Sequence, residues 1–177
     1  MRLLTILILA FSLQISASSK NQVANGNLTY GKEVFNSLQV NGFVTLNGTT
    51  ITQRLQVNGS VTASNAQIGE LNVNGQASLS HCIVKDKSTV TGSLNGSFST
   101  FEDAITLTSD LSVFDACSLT SLKVLKTKDD VTQKIELKGK TKIIGLITFE
   151  SGTGQVIACH ECQIKAESVI GGKLIKR

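Results

Sequence analysis

Four cysteines (82, 117, 159 and 162) and two histidines (81 and 160) are the residues of this 177-residue chain best suited to chemistry. Cys159-His160-Glu161-Cys162 is a CxxC sequence. It fits three uses: a redox dithiol, half of a zinc site, or a disulfide that closes a local turn. Residues three apart on a straight strand face opposite ways, so a bond between Cys159 and Cys162 requires a turn. A thioredoxin-like role requires a βαβ setting, and none is visible around the motif. His81 is the candidate base for an acyltransferase of the left-handed hexapeptide type. The remaining candidates are basic. Seven lysines lie between Lys123 and Lys142 against Asp129, Asp130 and Glu136, so this segment carries the whole net charge of +4. Within it Lys138, Lys140 and Lys142 alternate with Leu137, Gly139, Thr141 and Ile143. Read as one strand, the pattern sets three ammonium groups in a row on an outer face, where they attract a polyanion or acidic glycan. The alternative is a solvated face that guards a strand edge. No aromatic residue interleaves these lysines, so nucleic acid is not an expected partner.

The elements that position these residues are short strands. The chain has no Pro, no Trp and one Tyr, and its apolar content is mostly Val, Leu and Ile among many Gly, Asn, Ser and Thr. β-Branched residues suit strands, and Gly and Asn suit the turns between them. The scarcity of aromatics argues against a deep ligand pocket. The phrase Leu38-Gln39-Val40-Asn41-Gly42 returns at Leu55 to Gly59 and at Leu71 to Gly75. Val40, Val57, Val73, Val90, Leu107 and Val124 continue the register at steps of 16 or 17 residues. Parallel columns run through Leu38, Leu55, Leu71, Ser88, Ile105 and Leu122, through Gly42, Gly59, Gly75, Gly92 and Ser109, and through Val44, Val61, Ala77, Leu94 and Leu111. A unit this short cannot bury its own apolar face and must stack on its copies. The expected fold is all-β: a single-stranded, three-faced parallel β-helix (β-solenoid) with about 17 residues per rung and eight or so rungs. The alternative is an antiparallel β-meander or sandwich, whose hairpins use the same Asn-Gly turns. The column Asn41, Asn58 and Asn74 reads as turns with partial side-chain stacking.

The chain divides into three parts. Residues 1–19 have a basic start, an apolar run from Leu3 to Ile15 and small residues after it, the pattern of a secretory signal peptide. No later stretch is long and apolar enough to cross a membrane, so the mature chain is expected to be exported, periplasmic or extracellular. Residues 20–37 fall outside the repeat and read as an end cap. Residues 38–177 form the β-helix domain. After Val131 the frame moves, with Ile147 and Ile164, Gly154 and Gly171, and Ile157 and Leu174 each 17 residues apart.

The Leu-x-Val-x-Gly-x-Val units, as in Leu55-Gln56-Val57-Asn58-Gly59-Ser60-Val61, resemble the bactofilin group of polymer-forming cytoskeletal proteins. The resemblance covers Leu38 to Leu111 and implies a right-handed β-helix with three faces and assembly through its end rungs. Bactofilins are generally cytosolic, and the export signal sets this chain apart from them.

Rung counting limits the chemistry. Cys82 and Cys117 are 35 residues apart, two rungs plus one residue, which is beyond disulfide reach. His81 and Cys82 lie more than four rungs from Cys159, roughly 20 Å, and cannot complete a zinc site with it. The repeat alternates six and five residues, whereas hexapeptide acyltransferases keep a strict beat of six. Arg54 is the sole Arg between the termini, and the pairs Glu102-Asp103 and Asp129-Asp130 find no partner in the register, which does not suit a glycan-cleaving cleft. No catalytic, cofactor-binding or metal residue is expected. The function expected is that of an exported, non-enzymatic structural rod that associates with itself end to end. A surface adhesin or glycan-binding module using the lysine face is the alternative, and a glycan-active enzyme ranks third.

Overall fold

The structure, a computed structural model, describes residues 20–128 and 131–177. The expected export signal (1–19) and the Asp129-Asp130 pair lie outside the described residues. The chain forms one parallel sheet of sixteen strands, wound as a β-solenoid of about nine turns whose strands recur about 17 residues apart. Every strand pairing is parallel. Hairpins would give antiparallel pairs, so the meander is excluded.

Rungs one to four are each one long bent strand: β1 (Lys20–Tyr30), β2 (Val34–Asn47), β3 (Thr50–Ser64) and β4 (Gln67–Ser80). Rung five breaks into three pieces, β5 (Ile83–Val84), β6 (Ser88–Thr91) and β7 (Leu94–Ser97), which stack on successive parts of β4 and so define three faces. Rung six is β8 (Thr100–Thr108) and β9 (Leu111–Asp115), and rung seven is β10 (Ser118–Val124) and β11 (Lys134–Lys138). Rung eight is β12 (Lys142–Ile143), β13 (Ile147–Phe149) and β14 (Gly154–Ala158). Rung nine closes with β15 (Val169–Ile170) and β16 (Gly172–Lys176).

Alternation within each strand sends every second side chain inward. The first face contributes Phe35, Ile51, Ile68, Val84, Phe101, Leu119 and Ile143, all buried. The second contributes the Leu38 and Val40 columns, and the third contributes Val44, Val61, Ala77 and Leu94. Each fully buried Val, Leu or Ile stabilises the coil by about 1.5–3 kcal/mol. The column step is thus enforced on every face at once. Ser88 breaks the rule: it is 1% exposed, and its hydroxyl finds no hydrogen-bond partner among the described residues.

Glycine fixes the corner between the second and third faces. Gly42, Gly59, Gly75 and Gly92 have φ between 127° and 139°. A Cβ at Gly59 would strike the carbonyl oxygen of Gly42, and one at Gly75 would strike that of Gly59. Only glycine lets successive rungs approach this closely. Beside it, Asn41 donates to Asn25 (2.9 Å) and Asn58 donates to Asn41 (2.8 Å), a short exposed amide ladder.

Four details differ from the sequence reading. Lys20–Tyr30 is the first rung, not a segment outside the repeat: Asn25, Gly26 and Leu28 pair with Asn41, Gly42 and Val44. It brings the count to about nine turns rather than eight. The glycine column ends at Ser109, where one extra corner residue reverses the alternation. Ser112, not Leu111, then follows Leu94 inward, and Leu111 is 45% exposed. Phe114 fills the space thus left: its ring lies over Gly96 and packs edge-on against Phe101 at 6.0 Å. Finally, the 17-residue pairs assigned after Val131 do not form. Ile147 pairs with Val169, Gly154 with Gly172 and Ile157 with Ile175. Chain inserted at the corners shifts the count while the ladder continues. Buried Gln133 anchors the inserted stretch after Leu125 by donating to the carbonyls of Ser109 (2.9 Å) and Leu125 (2.7 Å).

Candidate functional site

The chemistry-bearing residues gather at one corner, where the third face of a rung turns into the first face of the next. In the regular rungs this corner is two residues long: Gly48-Thr49, Asn65-Ala66, His81-Cys82, Phe98-Ser99 and Ala116-Cys117. The first residue has positive φ, between 48° and 70° in these five, and the second is buried. Left-handed backbone turns the strand sharply enough that adjacent residues point in opposite directions. The buried side chain then satisfies the carbonyls of the corner. Thr49 donates to Gly31 O (2.6 Å), Ser99 to Ser97 O (2.8 Å), and the thiols of Cys82 and Cys117 to Ser80 O and Asp115 O (3.3 Å each). The hydroxyls also accept from the rung before: Cys82 N–H donates to Ser99 Oγ (3.0 Å) and Cys117 N–H to Thr141 Oγ1 (3.1 Å).

This geometry separates His81 from Cys82. The imidazole is exposed, stacked on Phe98 (4.9 Å between centroids) and within 3.0 Å of Ser80 Oγ through Nδ1. The thiol points into the core. The neighbours therefore form no Cys–His dyad. Burial pushes the Cys82 and Cys117 thiols above their ordinary value of 9.0, against smaller lowering by hydrogen bonds to backbone. A nucleophile needs the reverse shift, so these thiols are poorly suited to attack. They occupy one column two rungs apart, with Ser99 between them, and both are free.

Cys159-His160-Glu161-Cys162 lengthens the same corner to four residues. A turn closed by Cys162 N–H donating to Cys159 O (3.1 Å) brings the two Cα atoms to 5.2 Å, and the sulfurs are joined as a disulfide. Cys162 takes the buried corner position, and both sulfurs rest against the Gly139 carbonyl oxygen. His160 and Glu161 project from the tip, exposed. Among the described residues no group of three or more His, Cys, Asp or Glu could hold a metal ion.

The lysine row does not form. β11 ends at Lys138, Gly139 turns the chain with φ 56°, Lys140 sits at the tip, and Lys142 opens β12 on the next face. All three are exposed, but they wrap around a corner, and Lys138 is paired with Glu136 at 3.2 Å. The alternation Leu137-Lys138-Gly139-Lys140 has a strand period, yet the corner glycine makes it a turn.

The sequence reading missed a groove of about 790 Å³ at the corner between the first and second faces. Arg54 and Glu70, sixteen residues and one rung apart, meet there at 2.8 Å, and Lys87 adds a contact to Glu70 at 3.8 Å. Gln39, Gln53, Gln56, Asp86 and Asp103 complete much of its wall. Asp103, expected to stand without a partner, accepts the N–H of Ala104 at 2.7 Å. The signal that could have found the ladder was the one-rung step from Arg54 to Glu70. The groove presents Arg54 and Lys87 already matched to Glu70, with Asp86, Asp103 and amides beside them.

Comparison with protein families, with curated proteins and with solved structures gave no match to the chain.

Proposed function

We propose that this chain is an exported, non-enzymatic structural rod whose copies join end to end through the N-terminal rung. One observation carries the reading: the two ends of the ladder are unlike. Among the described residues β1 pairs with β2 alone, and its eleven residues carry one charge, Lys20, itself paired with Glu33 at 2.9 Å. A long, nearly uncharged edge with free N–H and C=O groups is a template for another strand. The last rung is guarded. Lys173, Lys176 and Arg177 lie in or beside β16, and Lys176 falls in the inward column that Ala158 occupies one rung earlier. A charge at an inward position opposes continuation of a sheet. The sequence of residues 1–19 supports export, and the bactofilin-like repeat units agree with assembly through end rungs. The separation of His81 from Cys82 and the pairing of Arg54 with Glu70 support a role without catalysis.

The test is the mass and shape of the chain from Lys20 onward, which holds every core residue described. Light scattering after size exclusion, between 1 and 100 μM as an order-of-magnitude range, should show a concentration-dependent species of two copies and doubled length. Val23 is 70% exposed, so Val23→Lys leaves the coil intact while charging the edge, and should hold the chain as a monomer. A strict monomer of the parent chain at the highest concentration would sink the reading.

A further inference from the structure

The corner between the first and second faces changes character along the rod. In rungs three to seven it is polar or charged, running through Thr52-Gln53-Arg54, Gly69-Glu70, Lys85-Asp86-Lys87, Glu102-Asp103-Ala104 and Thr120-Ser121. In rung eight it becomes Ile144-Gly145-Leu146, with Ile144 64% and Leu146 46% exposed. On the second face of rung nine, Ile170 is 48% exposed. Three of the eight large apolar side chains exposed among the described residues therefore sit on two adjacent rungs at one end.

Cations flank the first of them, Ile144. Lys142 precedes Ile144 by two residues on the same side of the strand, and the bridge of Lys142 to Gln163 sets Lys165 beside Ile144. Lys142, Lys165 and Lys176 line a groove of about 560 Å³ with Ile144, and Glu167 is its one acid. Elsewhere Lys20, Arg54, Lys87, Lys123 and Lys138 each reach a carboxylate. Among the described residues Lys142, Lys165, Lys173 and Lys176 reach none, a state they share with Lys32, Lys85, Lys134 and Lys140. The asymmetry extends along the sequence: residues 20–116 hold five basic and seven acidic residues, and residues 117–177 hold eleven and six.

We propose that the C-terminal end of the rod is a docking surface for an anionic lipid membrane. Exposed isoleucine and leucine beside a lysine-lined groove match both layers of such a surface, the anionic headgroups by charge and the acyl boundary by apolar contact. A soluble polyanion would use the lysines and leave the apolar side chains without a role. Ile144, Leu146 and Ile170 enter the headgroup region, and the rod meets the membrane through this flank of its last two rungs. The surface lies at the end opposite to the joining rung, so it does not depend on how copies associate.

The experiment is co-sedimentation of the chain from Lys20 onward with vesicles of phosphatidylcholine containing 30% phosphatidylglycerol, a composition chosen to give roughly the charge of an anionic leaflet. Binding should be absent with phosphatidylcholine alone and should weaken as salt rises. Each of Lys142→Gln and Lys165→Gln should lower affinity roughly fivefold, as loss of one surface-attracted lysine does. The pair Ile144→Asn and Ile170→Asn, both at exposed positions, should lower it by about tenfold or more without altering the circular dichroism spectrum. Absence of binding to anionic vesicles overturns the proposal. So does binding that the lysine variants weaken but the isoleucine pair leaves unchanged, since that outcome identifies a soluble polyanion as the partner. Val23→Lys should bind vesicles as the parent does, which separates this surface from the joining rung.

Discussion

Rungs two to five and rungs seven to nine bury the same kind of inward columns but reach them differently. From Val40 to Val90 each column recurs after 16 or 17 residues, because a glycine with φ above 120° turns the corner between the second and third faces and lets the rungs close on one another. From Ser109 onward no glycine with φ above 120° turns that corner among the described residues, and the step from Leu122 to Ile147 is 25 residues, from Ile147 to Val169 it is 22, and from Gly154 to Gly172 it is 18. The ladder itself never breaks. What must be conserved in a coil of this kind is the pairing of inward residues; the length of chain between them is free wherever a corner lets it bulge into solvent. The regular rungs have the more closely balanced charge, and the excess of lysine and exposed isoleucine falls on the irregular ones.

The comparison is most sharply tested at the glycines. Gly59→Ala places a side chain where φ is 137° and where the Gly42 carbonyl stands in the way, so a loss of at least about 3 kcal/mol is expected in urea denaturation. Gly152→Ala, in a corner of the irregular part, has φ 73° and open space, and should cost about 1 kcal/mol. Equal costs would show that the two regions are not held by different corners. Gln133→Leu comes next. It deprives the buried carbonyls of Ser109 and Leu125 of a donor and should cost about 2 kcal/mol. Hydrogen exchange should show the opening confined to rungs six to nine, while uniform loss of protection would mean that the coil unfolds as one unit.

The smallest effect concerns Cys82 and Cys117. Their thiols titrate higher in the folded chain than in the unfolded one, so the folded state holds more protons in alkali. The resulting stability is full below the ordinary thiol value of 9.0 and is lost as pH rises beyond it through the folded value. Cys82→Ser and Cys117→Ser together should flatten that fall, since Ser99 already fills the same corner position between them with both hydrogen bonds made. An unchanged alkaline slope in thermal melts at pH 8 to 10, a range of about one unit either side of that value, would assign the fall to other groups.

Much of this molecule was legible before any coordinate. The columns of Val40 and Leu38, the glycine corner, the parallel coil and the separation of the cysteines followed from a period that inward burial imposes on every rung. The candidate sites were legible only in part. Cys159 to Cys162 required a turn, and a turn is there, but nothing in the local sequence revealed that Cys162, Cys117 and Cys82 share a column with Thr49, Ser99 and Thr141. Lys138, Lys140 and Lys142 have the spacing of a strand and lie on a corner.

By itself the sequence determined which residues face inward wherever the period was unbroken, because alternation and burial act between neighbours in the chain. The tertiary structure alone decided where inserted residues leave the coil, which way His81 and Cys82 divide, and which side chains become neighbours across rungs, as Arg54 and Glu70 do. Those outcomes depend on hydrogen bonds between residues one rung apart, and one extra residue at a corner, as at Ser109, reverses the side chains of the strand that follows it.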